Sequence, residues 1–105
     1  MPIKFRVRIS ETAESDFVQA WRFISEESPE GAMNFVLPLE KQVSTLENFP
    51  ARCPLISEND LMGTQYRHLI HGDYRIIFRI EAKVVYVVRL FHAARLLDAA
   101  ALEEG

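Results

Sequence analysis

The sequence predicts an α+β fold: a two-helix hairpin packed on one face of a twisted antiparallel sheet, with the elements in the order β-α-α-β-β-β and a short C-terminal helix. Two observations carry this prediction. Residues 66–95 contain segments with the apolar–polar alternation of strands, and residues 10–49 contain two apolar stripes with the spacing of helices. The chain has 105 residues, so we expect a single domain, residues 1–105, that folds without disulfides or metal.

The first half of the chain predicts a strand followed by two helices. Apolar and basic residues alternate over residues 3–9, as in a half-exposed strand. Ser10 is a suitable N-cap for a helix that ends near Glu27, and Ser28-Pro29 repeats the start signal. Pro38 lies inside the second apolar stripe, where it predicts a kink or a helix in two pieces, because proline removes an internal hydrogen bond.

The second half predicts a surface loop over residues 50–63 and then a three-strand meander. Gly72-Asp73 is a two-residue hairpin signal, and we expect a three-residue loop at residues 81–83. The strand at residues 3–9 should pair at one edge of this meander. Residues 96–102 predict the short terminal helix. One core should join the helices to the sheet, formed by Trp21, Phe17, Phe35, Leu39, Ile76, Phe78 and Val88.

A cluster of arginines depends on the loop at residues 81–83. With three loop residues, Arg75 lies opposite Arg89, and Arg79 shares their face of the sheet, which we expect to be uncovered. A two-residue loop would move Arg89 to the other face. Guanidinium groups with no counter-charge could hold phosphates or carboxylates. The alternative is that any solvent-facing side of an antiparallel sheet carries polar residues.

Composition and charge make several classes of function less favoured. The net charge is −3, although residues 66–95 are locally basic, and this balance does not favour a nucleic-acid binder that works mainly through phosphate contacts. The single Cys53 and the absence of a secretion signal predict a cytoplasmic protein, and no apolar run approaches the roughly 20 residues that span a bilayer. His68 and His71 point to opposite faces of a strand, so we expect no metal, and no cofactor signature is present.

Three segments carry a resemblance to a known family: VRISETAESDFVQAWRFI, ENFPARCP, and YRHLIHGDYRIIFRI followed by VVYVVRLFHAAR. With them, nearly the whole chain resembles the RelE/ParE superfamily of toxins from type II toxin–antitoxin systems. The resemblance implies a compact toxin that forms a hetero-oligomer with a partly disordered antitoxin. We expect the antitoxin to cover the exposed sheet face or the edge at residues 64–70, with its acidic residues meeting Arg75 and Arg89.

The superfamily contains ribosome-dependent mRNA endonucleases of the RelE kind and DNA gyrase poisons of the ParE (plasmid stabilisation) kind. Tyr66 and His68 stand where the RelE kind carries lysines, and the terminal tyrosine of that kind has no counterpart. We therefore predict a ParE-like toxin that acts on DNA gyrase. An mRNA endoribonuclease, with Arg75, His92 and Arg95 as catalytic candidates, and a non-toxic antitoxin-binding module stay open as alternatives, and so does the question of enzymatic activity.

Under the ParE-like interpretation, the basic residues of the sheet region contact the target or the antitoxin. His92 is either a general acid or base in this region or a surface histidine beyond a strand end. The predicted binding residues are Arg67, Arg75, Arg79, Arg89, His92 and Arg95.

Overall fold

A computed structural model of the chain describes residues 3–93 together with residues 101 and 102. Its elements are β1 (Arg6–Ile9), α1 (Glu11–Glu27), α2 (Pro29–Ser44), the short α3 (Asn59–Met62), β2 (Arg67–His71), β3 (Tyr74–Glu81) and β4 (Val84–His92). Two 3-10 turns, Thr45–Glu47 and Pro50–Arg52, follow α2. Arg95 and residues 96–100 of the predicted terminal helix lie outside the described residues.

The four strands form one sheet in the order β1-β4-β3-β2. The predicted α+β class and the edge position of β1 are confirmed. The sheet is mixed and not purely antiparallel, since β1 runs parallel to β4 while the other pairs are antiparallel. Tight turns impose the antiparallel direction on β2, β3 and β4, whereas no turn joins β1 to β4 and fixes their relative direction.

Both main helices begin at the predicted serine caps. Ser10 Oγ accepts a hydrogen bond from the Ala13 amide at 3.0 Å, and Ser28 Oγ accepts one from the Gly31 amide at 2.9 Å. The expectation that Pro38 divides the second helix is wrong, because α2 continues through it to Ser44. Pro38 has no amide hydrogen to donate to the carbonyl of Asn34. Because Asn34 is exposed, water can donate a hydrogen bond to this carbonyl instead.

The β3–β4 hairpin corrects the predicted register. Its loop has two residues, since Glu81 pairs with Val84, and Ala82 adopts a positive φ of 53°. A β-bulge between Ile77 and Phe78 then restores the side-chain alternation. Arg89 consequently lies opposite Ile77 and not opposite Arg75. The three arginines still share one side of the sheet, because the bulge cancels the one-residue slip.

Both faces of the sheet carry buried apolar clusters. The expectation of an uncovered face is wrong, because residues from the loop before β2 and Leu102 cover it. The cluster between sheet and helices contains Ala13, Ala20, Leu39, Val43, Leu46, Cys53, Ile76, Phe78, Val85, Val87 and Leu90, with Phe17 and Phe35 packed against it. The opposite cluster contains Ile56, Ile77, Val88, Phe91 and Leu102.

Two predicted core residues lie elsewhere. Trp21 is 42% exposed, because it follows Ala20 at the margin of the α1 stripe. Val88 is buried in the opposite cluster, because the bulge turns it away from the helices.

Candidate functional site

Arg75, one of the predicted binding residues, is buried in an ion pair. Its Nη2 and Nη1 donate to the two carboxylate oxygens of Glu58 at 2.8 Å and 3.2 Å, and both side chains are at most 10% exposed. Such a two-point contact fixes the guanidinium plane. The pair fastens the loop that contains Glu58 to the start of β3, so the contact holds the fold together.

Arg89 is held in the same way on the neighbouring strand β4. Its guanidinium donates to both oxygens of Asp16 in α1, at 2.7 Å and 3.1 Å, and to the carbonyl of Ala101. Asp16 also accepts the backbone amide of Leu90 at 3.0 Å. β1 ends at Ile9, which pairs with Val87, so β4 continues beyond the end of β1. Asp16 supplies the hydrogen-bond acceptor for the Leu90 amide in this unpaired part of the β4 edge.

The remaining predicted arginines within the described residues also contact the protein. Arg67 donates to the carbonyls of Ala51 and Cys53, and Arg79 donates to Glu81 at 2.6 Å while it lies over the Tyr86 ring. Arg75, Arg79 and Arg89 therefore each have a carboxylate partner. The expectation that they leave uncompensated positive charge is wrong, because Glu58, Glu81 and Asp16 are brought to them by the fold.

The candidates for RNA cleavage do not converge. His92 pairs with Tyr74 across the sheet and its ring lies 5.7 Å from the Tyr74 ring, on the side of the helices. Arg75 pairs with Phe91, one position along, and successive residues of a strand point to opposite faces. His92 and Arg75 thus face opposite sides of the sheet, and Arg95 lies outside the described residues.

His68 is a third ionisable group next to the Arg75–Glu58 pair. Burial, reinforced by the charge of Arg75 and opposed by Glu58, lowers the pKa of His68. Its Nδ1 is buried with no hydrogen-bond partner among the described residues. The lowered pKa of His68 favours its neutral form.

The two edges of the sheet differ in how far they are open to pairing with a strand from another chain. The β2 edge expected to accept an antitoxin is partly closed, because the Ile56 amide donates to the Tyr66 carbonyl and the His68 amide donates to the Pro54 carbonyl. The β1 edge is closed at Phe5, whose amide donates to the Glu47 carbonyl at 2.8 Å.

Beyond Phe5 the outer edge of β1 is open. The Arg6 amide donates to the carbonyl of Lys83, just before β4, and the Ser10 amide donates to Val87 of β4. Amides of alternate residues point the same way. The amides of Val7 and Ile9 consequently point away from β4, and no strand of the described residues pairs there.

An apolar groove runs beside this open edge, which we call the β1 groove. Phe17 of α1 and the inner side of α2 form its floor and far wall, and Glu40 and Glu47 lie on its rim. Its residues are Val7, Ile9, Phe17, Val36, Leu39, Glu40, Val43, Ser44 and Glu47. Backbone groups without a strand partner next to apolar side chains can receive an added strand from another chain.

Sequence reasoning missed the β1 groove. The alternation of residues 3–9 and the breadth of the α2 stripe were both visible, but the parallel pairing of β1 with β4 was not. That pairing leaves the outer side of β1 next to α2.

No helix of the described residues is long and apolar enough to cross a membrane. Within residues 3–93 and 101–102, no three side chains of the metal-ligating types come together.

The chain matches a known sequence family and several solved structures. Residues 7–97 match the sequence model of a family described as the ParE toxin of type II toxin–antitoxin systems, parDE. Among solved structures, the fold matches a chain of the chromosomal ParDE TA system from P. aeruginosa with a TM-score of 0.67 and 17% identity, over 85% of this chain and 96% of that one. A search of curated proteins found no sequence match.

Proposed function

We propose that this protein, which belongs to the ParE toxin family of type II toxin–antitoxin systems, arrests growth by inhibiting DNA gyrase and is neutralised by a cognate antitoxin. Family membership over residues 7–97 is the observation that carries the proposal. The geometry of the site bears on how the toxin acts and on where the antitoxin binds.

The buried state of Arg75 supports a non-catalytic toxin. A guanidinium that stabilises a phosphate during RNA cleavage has to reach that phosphate, and Arg75 would first have to leave Glu58. The histidine that would transfer the proton lies on the opposite side of the sheet. Cleavage by these two groups needs both of them within reach of one phosphodiester. The proposed action is therefore contact with a protein target.

The β1 groove supports strand addition by the antitoxin. An added strand would pair with the outward amides and carbonyls of Val7 and Ile9 and place every second side chain in the groove. The intervening side chains would lie beside Arg6 and Arg8, which are exposed and make no ion pair with any residue that the structure describes. Opposite charges across a strand pair attract. The proposed antitoxin segment thus alternates apolar and acidic residues.

Three variants test this placement in a binding assay with the purified product of the neighbouring reading frame. Val36→Glu should weaken binding by placing a charge in the β1 groove, and Arg8→Glu should weaken it by reversing a cross-strand attraction. Leu61→Glu is the matched control, because Leu61 is 93% exposed on α3. Equal affinity for all three would exclude the groove as the antitoxin site.

Growth assays separate the proposal from its alternatives. Expression of the chain should arrest growth, co-expression of the neighbouring gene should reverse the arrest, and His92→Gln should still arrest growth. Loss of arrest in His92→Gln, together with codon-dependent mRNA cleavage by the wild type, would favour the RelE kind. No arrest at all would leave a non-toxic antitoxin-binding module.

A further inference from the structure

The turn after α2 displays an aromatic side chain in an unusual backbone conformation. Phe49 has φ 46° and ψ 60°, in the left-handed region, and is 71% exposed. A bulky residue rarely adopts this conformation, which glycine and asparagine accept more easily. Packing does not explain the choice of residue either, since most of the side chain is in solvent. Neither the backbone nor the core of the described protein therefore favours phenylalanine at this position.

Several hydrogen bonds hold the turn that carries Phe49. Arg52 donates from Nη1 to the carbonyls of Thr45, Asn48 and Phe49, at 3.3, 2.7 and 3.2 Å, and from Nη2 to the Thr45 hydroxyl at 2.8 Å. On the inner side, Leu46 and Pro50 are fully buried. Phe49 thus lies between buried residues on the inner side of the turn and the hydrogen bonds of Arg52 on the outer side, and its side chain is exposed to solvent. Preorganisation of this kind lowers the entropy lost when an exposed side chain binds a partner.

The turn also adjoins the β1 groove. Glu47 lines the rim of the groove, its carbonyl accepts the Phe5 amide, and Lys4 forms an antiparallel bridge with Asn48. A strand lying along the open edge of β1 and running toward Phe5 therefore reaches the turn where the edge closes. Phe49 stands one residue beyond that bridge.

We propose that Phe49 is an anchor for the antitoxin at the closed end of the β1 groove, where it packs against an apolar antitoxin residue beyond the paired strand. The inference rests on the proposed neutralisation by an antitoxin, and it adds a contact that lies outside the groove. Phenylalanine is among the aromatic residues enriched in protein–protein interfaces, where a few residues carry most of the binding energy.

The test is substitution by asparagine, which keeps the left-handed backbone. Phe49→Asn should keep or raise the melting temperature, by up to about 4 °C, because the backbone strain falls. The same change should weaken binding of the purified neighbouring-gene product by about 30-fold or more. Phe23→Asn, at a side chain 65% exposed on α1, is the matched control and should keep the wild-type affinity.

The outcomes separate this inference from the proposed function. Equal affinity of wild type and Phe49→Asn would overturn the anchor while leaving neutralisation intact. Full affinity combined with loss of gyrase inhibition would also overturn it and would make Phe49 a target contact. A lower melting temperature would contradict the argument from strain. Failure of the wild-type protein to bind the neighbouring-gene product would remove the proposed neutralisation itself.

Discussion

Removal of Glu58 should destabilise the protein severely, because it leaves Arg75 buried without its counter-charge. Both side chains are at most 10% exposed and share two hydrogen bonds. Breaking a buried pair by deleting one partner typically costs about 3–5 kcal/mol. For a domain of this size, that lowers the melting temperature by at least about 12 °C and removes a large part of a typical total stability of about 5–15 kcal/mol.

Replacement of both partners should have a much smaller effect. In Glu58→Leu/Arg75→Met neither charge is buried, and apolar replacements of a buried pair are often neutral or stabilising. We expect the double variant to unfold within about 1 kcal/mol of wild type. The coupling between the two positions then measures how much of the single-variant loss comes from the stranded guanidinium.

Urea unfolding followed by circular dichroism measures both effects, and growth arrest supplies the functional readout. The double variant should still arrest growth if Arg75 is structural, whereas Arg75→Ala alone would lose activity through unfolding whatever its role. A Glu58→Ala variant within about 1 kcal/mol of wild type would refute the buried ion pair. A stable double variant that no longer arrests growth would refute the structural role of Arg75.

Three further predictions concern the core, pH and the α1 edge. Phe78→Ala, at a fully buried side chain, should lower the free energy of unfolding by about 3–5 kcal/mol. Trp21→Ala, at a side chain 42% exposed, should lower it by less than about 2 kcal/mol. Similar urea midpoints for the two variants would contradict the assignment of the core. Burial and Arg75 lower the pKa of His68 below its ordinary 6.5, so the unfolded chain binds the proton first as the pH falls, and stability should drop from about pH 6.5 down through the lowered pKa. His68→Leu should flatten that decline, and an unchanged decline between about pH 7 and 5.5 would exclude His68 as its source. Asp16→Ala should speed amide exchange at Leu90, its backbone donor; wild-type exchange there would argue against Asp16 as the cap of the β4 edge.

Much of the fold could be predicted because local signals agree with it. Ser10 and Ser28 both cap helices, and Gly72 supplies the positive φ of the β2–β3 turn. The resemblance to the ParE kind is confirmed by the family match over residues 7–97.

The candidate site was less predictable because it depends on long-range pairing. The bulge at Ile77/Phe78 has no marker such as a glycine, yet it sets the face of Arg89 and Val88. The carboxylate partners of Arg75 and Arg89 come from positions 17 and 73 residues away. Sequence reasoning grouped the arginines correctly but could not place Glu58 and Asp16 beside them.

The proposed action of this toxin is inhibition of gyrase without cleavage of RNA, reversed by its antitoxin. The most direct measurement is gyrase supercoiling of a relaxed plasmid with purified toxin, titrated with the neighbouring-gene product, beside a parallel assay of mRNA on translating ribosomes. We predict that supercoiling stops, that it returns as the antitoxin reaches the toxin concentration, and that the mRNA stays intact. Normal supercoiling at excess toxin, with cut mRNA in the parallel assay, would contradict the account.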